Sequence, residues 1–441
     1  MSYNVAFISL GCAKNQVNCE QMMAFVQAAG HTIQTDPEGA DVAVVNTCGF
    51  LASACEEAID NILEMAELKK AGKLKKLLVT GCMAQRYQAD VLGELPEVDG
   101  ILGTGSYGEI VAAIDEVMTG GFRPCRLGNI HTAEQGGARI LSTPPWYAYL
   151  RIAEGCDNHC AYCVIPSLRG KYRSRPLEEL LDEAAELASA GVRELLVIAQ
   201  DITRYGTDLN GEHQLAKLLR QLCKLDFHWI RLHYLYPDEI TEELIDVIAA
   251  EPKIVKYLDI PIQHCNDGIL KAMNRRDTKA ELLALFEKLR ARIPGLVLRT
   301  SLITGLPGEG AAEFEELCQF LREVRIERAG VFPFSPEEGT RAAQMEHVDM
   351  DEAKRRSELA VDVQSDIIDA YNESVLGLER EVLCVGFDAQ AQMYAGRSYA
   401  ESPDIDGHIY FTADEAVEPG TFVIVRLTGV MDGELTGEAV E

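Results

Sequence analysis

Three short apolar runs, each followed by a helical pattern, constrain the first 115 residues more than any other feature. VAFISL (5–10), VAVVNTC (42–48) and LLVTGC (77–82) are continuously apolar rather than alternating. Such runs are buried on both faces, and their alternation with helices predicts a parallel sheet covered on two sides. The expectation for residues 1–120 is therefore a doubly wound parallel-sheet domain. No GxGxxG follows the first run, so a dinucleotide is not indicated.

The remainder divides by the same reading. Residues 121–141 are rich in Gly and Pro without periodicity and read as a linker. A second strand–helix series follows over 142–372. Its strand candidates are YAYLRIA (147–153), ELLVIA (194–199), WIRLHYL (229–235), KYLDIPI (256–262), LVLRTSLITG (296–305) and AGVFPF (329–334). Six strands with helical crossovers suit a partial or full α/β barrel. After a charged helix over about 349–373, residues 375–441 carry short β-type runs separated by Gly and Pro, which reads as a small all-β domain.

The chain has 13 cysteines, an odd number in a long sequence, which fits a secreted disulfide scaffold poorly. No run approaches membrane-spanning length, and the N-terminus lacks a signal-peptide pattern. A reducing cytoplasm is the expected setting. Cys156, Cys160 and Cys163 form a CxxxCxxC just beyond a strand. Three thiolates with no fourth ligand nearby suit an iron–sulfur cluster with one iron left open; zinc, or chance spacing in a loop, is the plainer alternative. Cys12, Cys48 and Cys82 each end a buried strand candidate. In a parallel sheet those ends share one edge, so the three thiols are expected to meet there, unless each is simply a core cysteine. Cys19, Cys55, Cys125, Cys223, Cys265, Cys318 and Cys384 show no comparable pattern. Cys19 and Cys55, each seven residues from a triad cysteine, are the ones expected nearest the site.

With Lys+Arg 41 against Asp+Glu 70, the net charge is −29. That disfavours a protein built to grip nucleic-acid phosphates. The tail is denser still, with three arginines against thirteen acids over 375–441. Such a module would repel a phosphate backbone and attract a basic protein, unless its acids serve only solubility.

The cysteine sets and the stretches around them resemble the radical S-adenosylmethionine methylthiotransferases over nearly the whole chain. SLGCAKNQVNCE, NTCGF, GCMAQRY, EGCDNHCAYCVIPSLRGKYRSRP, AQDITRYG, LDIPIQHCNDGILKAMNRR and LITGLPGE carry the likeness. The Lys-Asn of GCAKN, the unbroken EGCDNHCAYCVIP and PSLRGKYRSRP favour the branch acting on ribosomal protein S-twelve over the tRNA branch. The chain departs from the family pattern at Asn18-Cys19, where Asp-Ser is usual, and at GLPGEG (305–310), where GFPGET is usual.

The resemblance implies a 4Fe-4S cluster on Cys156, Cys160 and Cys163 whose open iron binds S-adenosylmethionine. It implies an auxiliary 4Fe-4S cluster on Cys12, Cys48 and Cys82, and a TRAM-like fold for the tail. The implied reaction is methylthiolation of an aspartate β-carbon in the S-twelve protein, giving 3-methylthioaspartate. A 5′-deoxyadenosyl radical would abstract the hydrogen, with two S-adenosylmethionine molecules used per turnover and a flavodoxin-type electron donor. Methylthiolation of a modified adenosine in tRNA is the alternative. Strand ends on the barrel's expected catalytic face offer cofactor contacts: Gln200 and Asp201, Gln263 and His264, Gly305 and Pro307. Arg169, Lys171, Arg173 and Arg175 are expected to form a solvated face, with a hold on the substrate carboxylate or on the loop as the alternative. Tyr234 and Tyr236 are expected to pack in the barrel.

Overall fold

The computed structural model describes residues 1–440. The first sheet is built from β1 (Asn4–Ser9), β2 (Thr32–Gln34), β3 (Val42–Thr47), β4 (Lys76–Gly81), β5 (Gly100–Gly105) and β6 (Cys125–Gly128). All six run parallel in the order β2-β1-β3-β4-β5-β6. Every residue of β3 is buried, because apolar clusters cover both faces. One gathers Ile62, Met65 and Val79; the other gathers Met22, Val44 and Ile114. Helices α1 (Ala13–Ala28), α2 (Ala52–Lys70) and α3 (Cys82–Tyr87) begin just after β1, β3 and β4. Strand β6 corrects the linker reading. It is four residues long and pairs through three of them with β5 at the sheet edge, too short a run to show a period.

The central sheet contains β7 (Tyr147–Arg151), β10 (Glu194–Ile198), β11 (Trp229–Leu232), β12 (Ile254–Asp259), β13 (Val297–Thr304) and β14 (Arg328–Pro333). Its order, β14-β13-β12-β11-β10-β7, follows the chain and does not close, so the barrel is partial. Alternate residues Ala148, Leu150, Leu195 and Val197 join the large core beneath the helices. The paired β8 (Ala153–Glu154) and β9 (Arg173–Ser174) clasp the cysteine loop, which ends in the short helix α4 (Ile165–Arg169). Helix α5 (Met350–Val375) adds Val363 and Ile367 to that core and donates from Gln364 to the Ile326 carbonyl, covering the β14 side. The tail forms a closed five-stranded barrel of β15 (Glu379–Asp388), β16 (Met393–Arg397), β17 (Ile409–Thr412), β18 (Phe422–Met431) and β19 (Glu434–Val440). Among the described residues, no helix is long and apolar enough to cross a membrane.

The other face of the central sheet is concave, and the two flanking domains fill it. Val17 and Ala13 of α1 pack on Tyr147, Tyr149, Leu196 and Ile198. From the tail, Arg397 reaches Glu194 at 2.8 Å, and Glu194 also holds Arg231 at 2.7 Å. Tyr147 and Tyr257 donate to Asp404 and Asp406, each at 2.7 Å. Arg328 pairs with Glu401 at 2.8 Å. With Glu381 held by His228 at 2.8 Å, four of the tail's acids thus bind the core instead of forming the outward field that composition suggests.

Among the described residues Glu194 is the only carboxylate paired with Arg231 or Arg397, and its side chain is fully buried. Burial alone would raise its pKa, but Arg397 and Arg231 hold it below the usual carboxylate range. Its contribution is therefore present at neutral pH and is lost as pH falls below that range. Glu194→Gln is expected to destabilise the protein by about 3–5 kcal/mol, since it strands buried charge. Thermal melting should show the loss at pH 7 and a smaller difference from wild type in acid, with 377–440 cut earlier by protease.

Candidate active site between two cysteine triads

Because β1, β3 and β4 are neighbours, the turns after them lie side by side, and Cys12, Cys48 and Cys82 occupy those turns. Their approach is close enough to require glycine. A Cβ on Gly11 (φ +87°) would stand 2.8 Å from the Cys48 Cβ. On Gly81 (φ +96°) it would stand 2.4 Å from the Thr47 carbonyl oxygen. A polar lattice ties the turns together. Asn15 donates to the Leu10 and Thr47 carbonyls, Asn46 donates to the Asn15 carbonyl, and Thr80 donates to Asn46.

The three thiols influence one another. Burial pushes Cys48 up to about 12, and the charges on Cys82 and Cys12 add to the rise. Burial likewise raises Cys82. At Cys12 burial also opposes ionisation, but Lys14 and Arg169 outweigh it and the thiol falls below its ordinary value. Cys12 has exposed surface while protein surrounds it, as befits a residue inside a cleft. Cys19 instead packs in the α1 core, and Cys55 sits beside Tyr87.

The second triad lies on the loop between β8 and α4. The Cys156 amide donates to the Gly170 carbonyl, and the Cys163 amide to the Cys160 carbonyl. The Ile165 amide points at the Cys163 sulfur at 3.4 Å, and the Tyr236 hydroxyl stands 3.7 Å from the Cys160 sulfur. Burial raises Cys156 to about 11 and also raises Cys163, in each case with a contribution from Cys160. Among the described residues no three His, Cys, Asp or Glu side chains are gathered around a point that would hold a single metal ion. Each site does offer three mutually interacting thiols, and amide donors beside the second set can hydrogen-bond a cluster's sulfurs. The donor sets fit 4Fe-4S clusters.

One residue expected in solvent joins the two sites. Arg169, only 3% exposed, leaves α4 and crosses to the first domain. Its guanidinium donates to Asn18 (2.6 Å), Asn15 (3.1 Å), the Cys82 sulfur (3.2 Å) and Glu154 (3.1 Å). Arg175 is also buried and pairs with Glu183 at 2.6 Å. Lys171 is exposed and Arg173 is half-buried. The basic run is thus not a solvated face: two of its four members are interior. Glu154, between Arg151 and Arg169, was not singled out from sequence. Burial opposes its charge, but the two guanidiniums hold its carboxyl down at about 2.

The cofactor candidates fall on the ends and turns of the central strands. Gln200 donates to Glu154 at 2.5 Å, and its buried side-chain oxygen has no partner, an acceptor free for an ammonium group. Asp201 accepts from Asn158 at 3.0 Å and from Thr203, and burial raises its pKa. Gln263 adopts φ +69° while bridging to β13, and His264 lies 3.3 Å from Glu309. Gly305 has φ +77° and donates its amide to Glu309; Pro307 follows in the same turn. Tyr236 packs beneath Arg275, 4.1 Å from its ring centroid, whereas Tyr234 faces Lys14 of α1. Lys14 entered the sequence reading only as part of GCAKN, and the roles of Lys14 and Glu154 escaped it because their partners are distant in the chain. The signal for both was their place beside a cysteine, in GCAKN and EGC.

Family models match in three blocks: uncharacterized protein family UPF0004 over residues 4–103, the radical SAM superfamily over 150–321, and the TRAM domain over 377–440. The chain is 47% identical over 439 residues to the ribosomal protein uS12 methylthiotransferase RimO of Lachnoclostridium phytofermentans, covering 99% of each. It is 44% identical over 438 residues to the protein of that name from Thermoanaerobacter sp. strain X514, again covering 99% of each. In fold it is similar to the radical S-adenosylmethionine methyltransferase TsrM of Kitasatospora setae, with a TM-score of 0.56 at 14% identity over 75% of this chain and 73% of that one. With this identity sustained from end to end, the chain belongs to the RimO family of radical SAM methylthiotransferases.

Proposed function

We propose that this enzyme methylthiolates the β-carbon of an aspartate in uS12, the S-twelve protein of the small ribosomal subunit. In this reading Cys156, Cys160 and Cys163 hold one 4Fe-4S cluster, and Cys12, Cys48 and Cys82 hold a second. The observation that carries it is the Arg169 bridge, which ties the loop of one triad to the Cys82 sulfur of the other. An unactivated C–H bond lies beyond any side-chain base at neutral pH, so a cofactor has to supply the chemistry. When bound, the clusters and two S-adenosylmethionine molecules supply the hydrogen-abstracting radical, the sulfur and the methyl group.

The chain's own residues position and enclose. Gln200, Asp201, Gln263, Gly305 and Pro307 line the proposed S-adenosylmethionine site. The unpaired Gln200 oxygen suits the amino group of that cofactor. Glu154 and Arg169 neutralise each other in the interior and hold the cysteine loop against the first domain. Tyr236 and Tyr162 flank Cys160 and keep water from that triad. A flavodoxin-type protein is the proposed electron donor, and the free thiols suit a cytoplasmic setting.

For the partner, a basic ribosomal protein is favoured over tRNA. Glu381, Glu401, Asp404 and Asp406 bind the core, which leaves Glu379, Asp414, Glu415, Glu418, Asp432 and Glu438 as exposed acids of the tail. That surface repels phosphates and steers cationic partners.

Anaerobic reconstitution is expected to load about eight irons per chain. Replacing Cys156, Cys160 and Cys163 by Ala should leave about four and abolish formation of 5′-deoxyadenosine. Replacing Cys12, Cys48 and Cys82 should remove the others and stop methylthio transfer while cleavage of S-adenosylmethionine continues. Mass spectrometry of uS12 after reaction gives the direct test: wild type adds one methylthio group to one aspartate. Unmodified uS12 beside modified tRNA would overturn the reading.

Joint neutralisation of Asp414, Glu415 and Glu418 is expected to slow association with uS12 without changing iron content. Added salt should have the same effect, since exposed charges act over a Debye length of about 8 Å. Stopped-flow association rates at two ionic strengths check this.

A further inference from the structure

Lys14 is 9% exposed, and no carboxylate among the described residues lies within 4.0 Å of its ammonium. Its ammonium lies over the face of Tyr234, 3.3 Å from nitrogen to ring centroid, and it acts on the nearby Cys12 thiol. An enclosed ammonium is ordinarily matched by an anion, because losing its hydration is costly and a ring face returns only part of that loss. The neighbouring cations have their anions already. Arg169 has Glu154, Arg299 has Asp259 at 2.7 Å, and Arg275 has Asp277 at 3.4 Å. Asp259 acts on Lys14 through its field but is paired with Arg299, and its other oxygen accepts from the Tyr234 amide at 3.2 Å.

The position of this lysine is as informative as its lack of a paired carboxylate. It is two residues beyond Cys12 in the first turn of α1. The tyrosine beneath it lies two residues before Tyr236, whose hydroxyl touches Cys160. Lys14 therefore joins the Cys12 turn to the segment that reaches Cys160, on the side of the central sheet where α1 packs.

We infer that Lys14 is the binding group for the side-chain carboxylate of the substrate aspartate. The inference rests on the functional reading above and adds the residue that selects an aspartate. The β-carbon of aspartate is bonded directly to that carboxylate. A cation gripping the carboxylate fixes the reacting carbon one bond away, next to the Cys12 turn. An adenosine offers no carboxylate to this site, so binding would leave the ammonium unmatched, and the same lysine disfavours a nucleoside substrate. Tyr234 holds one side of the Lys14 ammonium, and the N–H groups directed away from the ring are the ones that would donate to the carboxylate.

The test compares uS12 with uS12 carrying Asn at the modified aspartate, each titrated into reconstituted holoenzyme. Wild-type enzyme is expected to bind the aspartate form more tightly by roughly tenfold to a hundredfold, the range of a charge-assisted hydrogen bond. Lys14→Met should remove that preference by weakening only the aspartate form, while Lys14→Arg should keep most of it. Iron content and the cluster absorption spectrum accompany each titration. If Lys14 served only to steady Cys12, its loss would alter the spectrum and weaken both forms alike. Equal binding of the two forms by wild type, or an equal loss in Lys14→Met, overturns the inference. The functional reading fails separately, if wild-type enzyme neither binds nor methylthiolates uS12.

Discussion

A guanidinium removed from water needs fixed partners around it, and Arg169 draws its partners from both sides of a domain boundary. Glu154 supplies the charge from the central domain, while Asn15, Asn18 and Cys82 supply acceptors from the first. Burying the ion is tolerable only if all of these are in place together, so the interface has one geometry rather than a range. The relation between the cysteine triads follows from that geometry. Neither triad spans the boundary itself. Asn18 replaces the aspartate usual at that position, leaving Glu154 as the carboxylate partner of Arg169.

The strands could be read from sequence because fully buried strands write themselves as continuous apolar runs, whatever they pack against. The meeting of Cys12, Cys48 and Cys82 could be anticipated because parallel strands deliver their ends to one edge. Arg169 could not. Basic residues at alternate positions in a Gly-containing loop look solvated, and the partners that bury this one lie 15 to 154 residues away. The acids of the tail misled for a related reason. Composition counts Glu401, Asp404 and Asp406 but does not say that Arg328, Tyr147 and Tyr257 face them. Strand β6 was hidden by brevity, since four residues carry no period.

The open barrel explains why the chain carries three domains in this order. A six-stranded sheet that does not close exposes one face, and polar residues such as Glu194, Arg231 and Tyr257 line it. Those residues need partners but cannot find them within the sheet. The first domain brings α1 with Val17 and Lys14, and the tail brings Arg397, Ser402 and its acids. The concave face therefore serves both as the site and as the seat for its neighbours.

That arrangement sets a schedule during synthesis. Tyr147 emerges from the ribosome long before Asp404, which follows 257 residues later. At about 5–20 residues per second, the interval is roughly 13 to 50 seconds. Through it the sheet's interior stays wet and its charged groups keep their water. The nascent enzyme has its first domain, and so its Cys12, Cys48 and Cys82 turns, well before the tail can close the barrel from the other end. A newly made chain thus passes through a stage in which the first-domain cysteines can be arranged while the tail side of the sheet is still open.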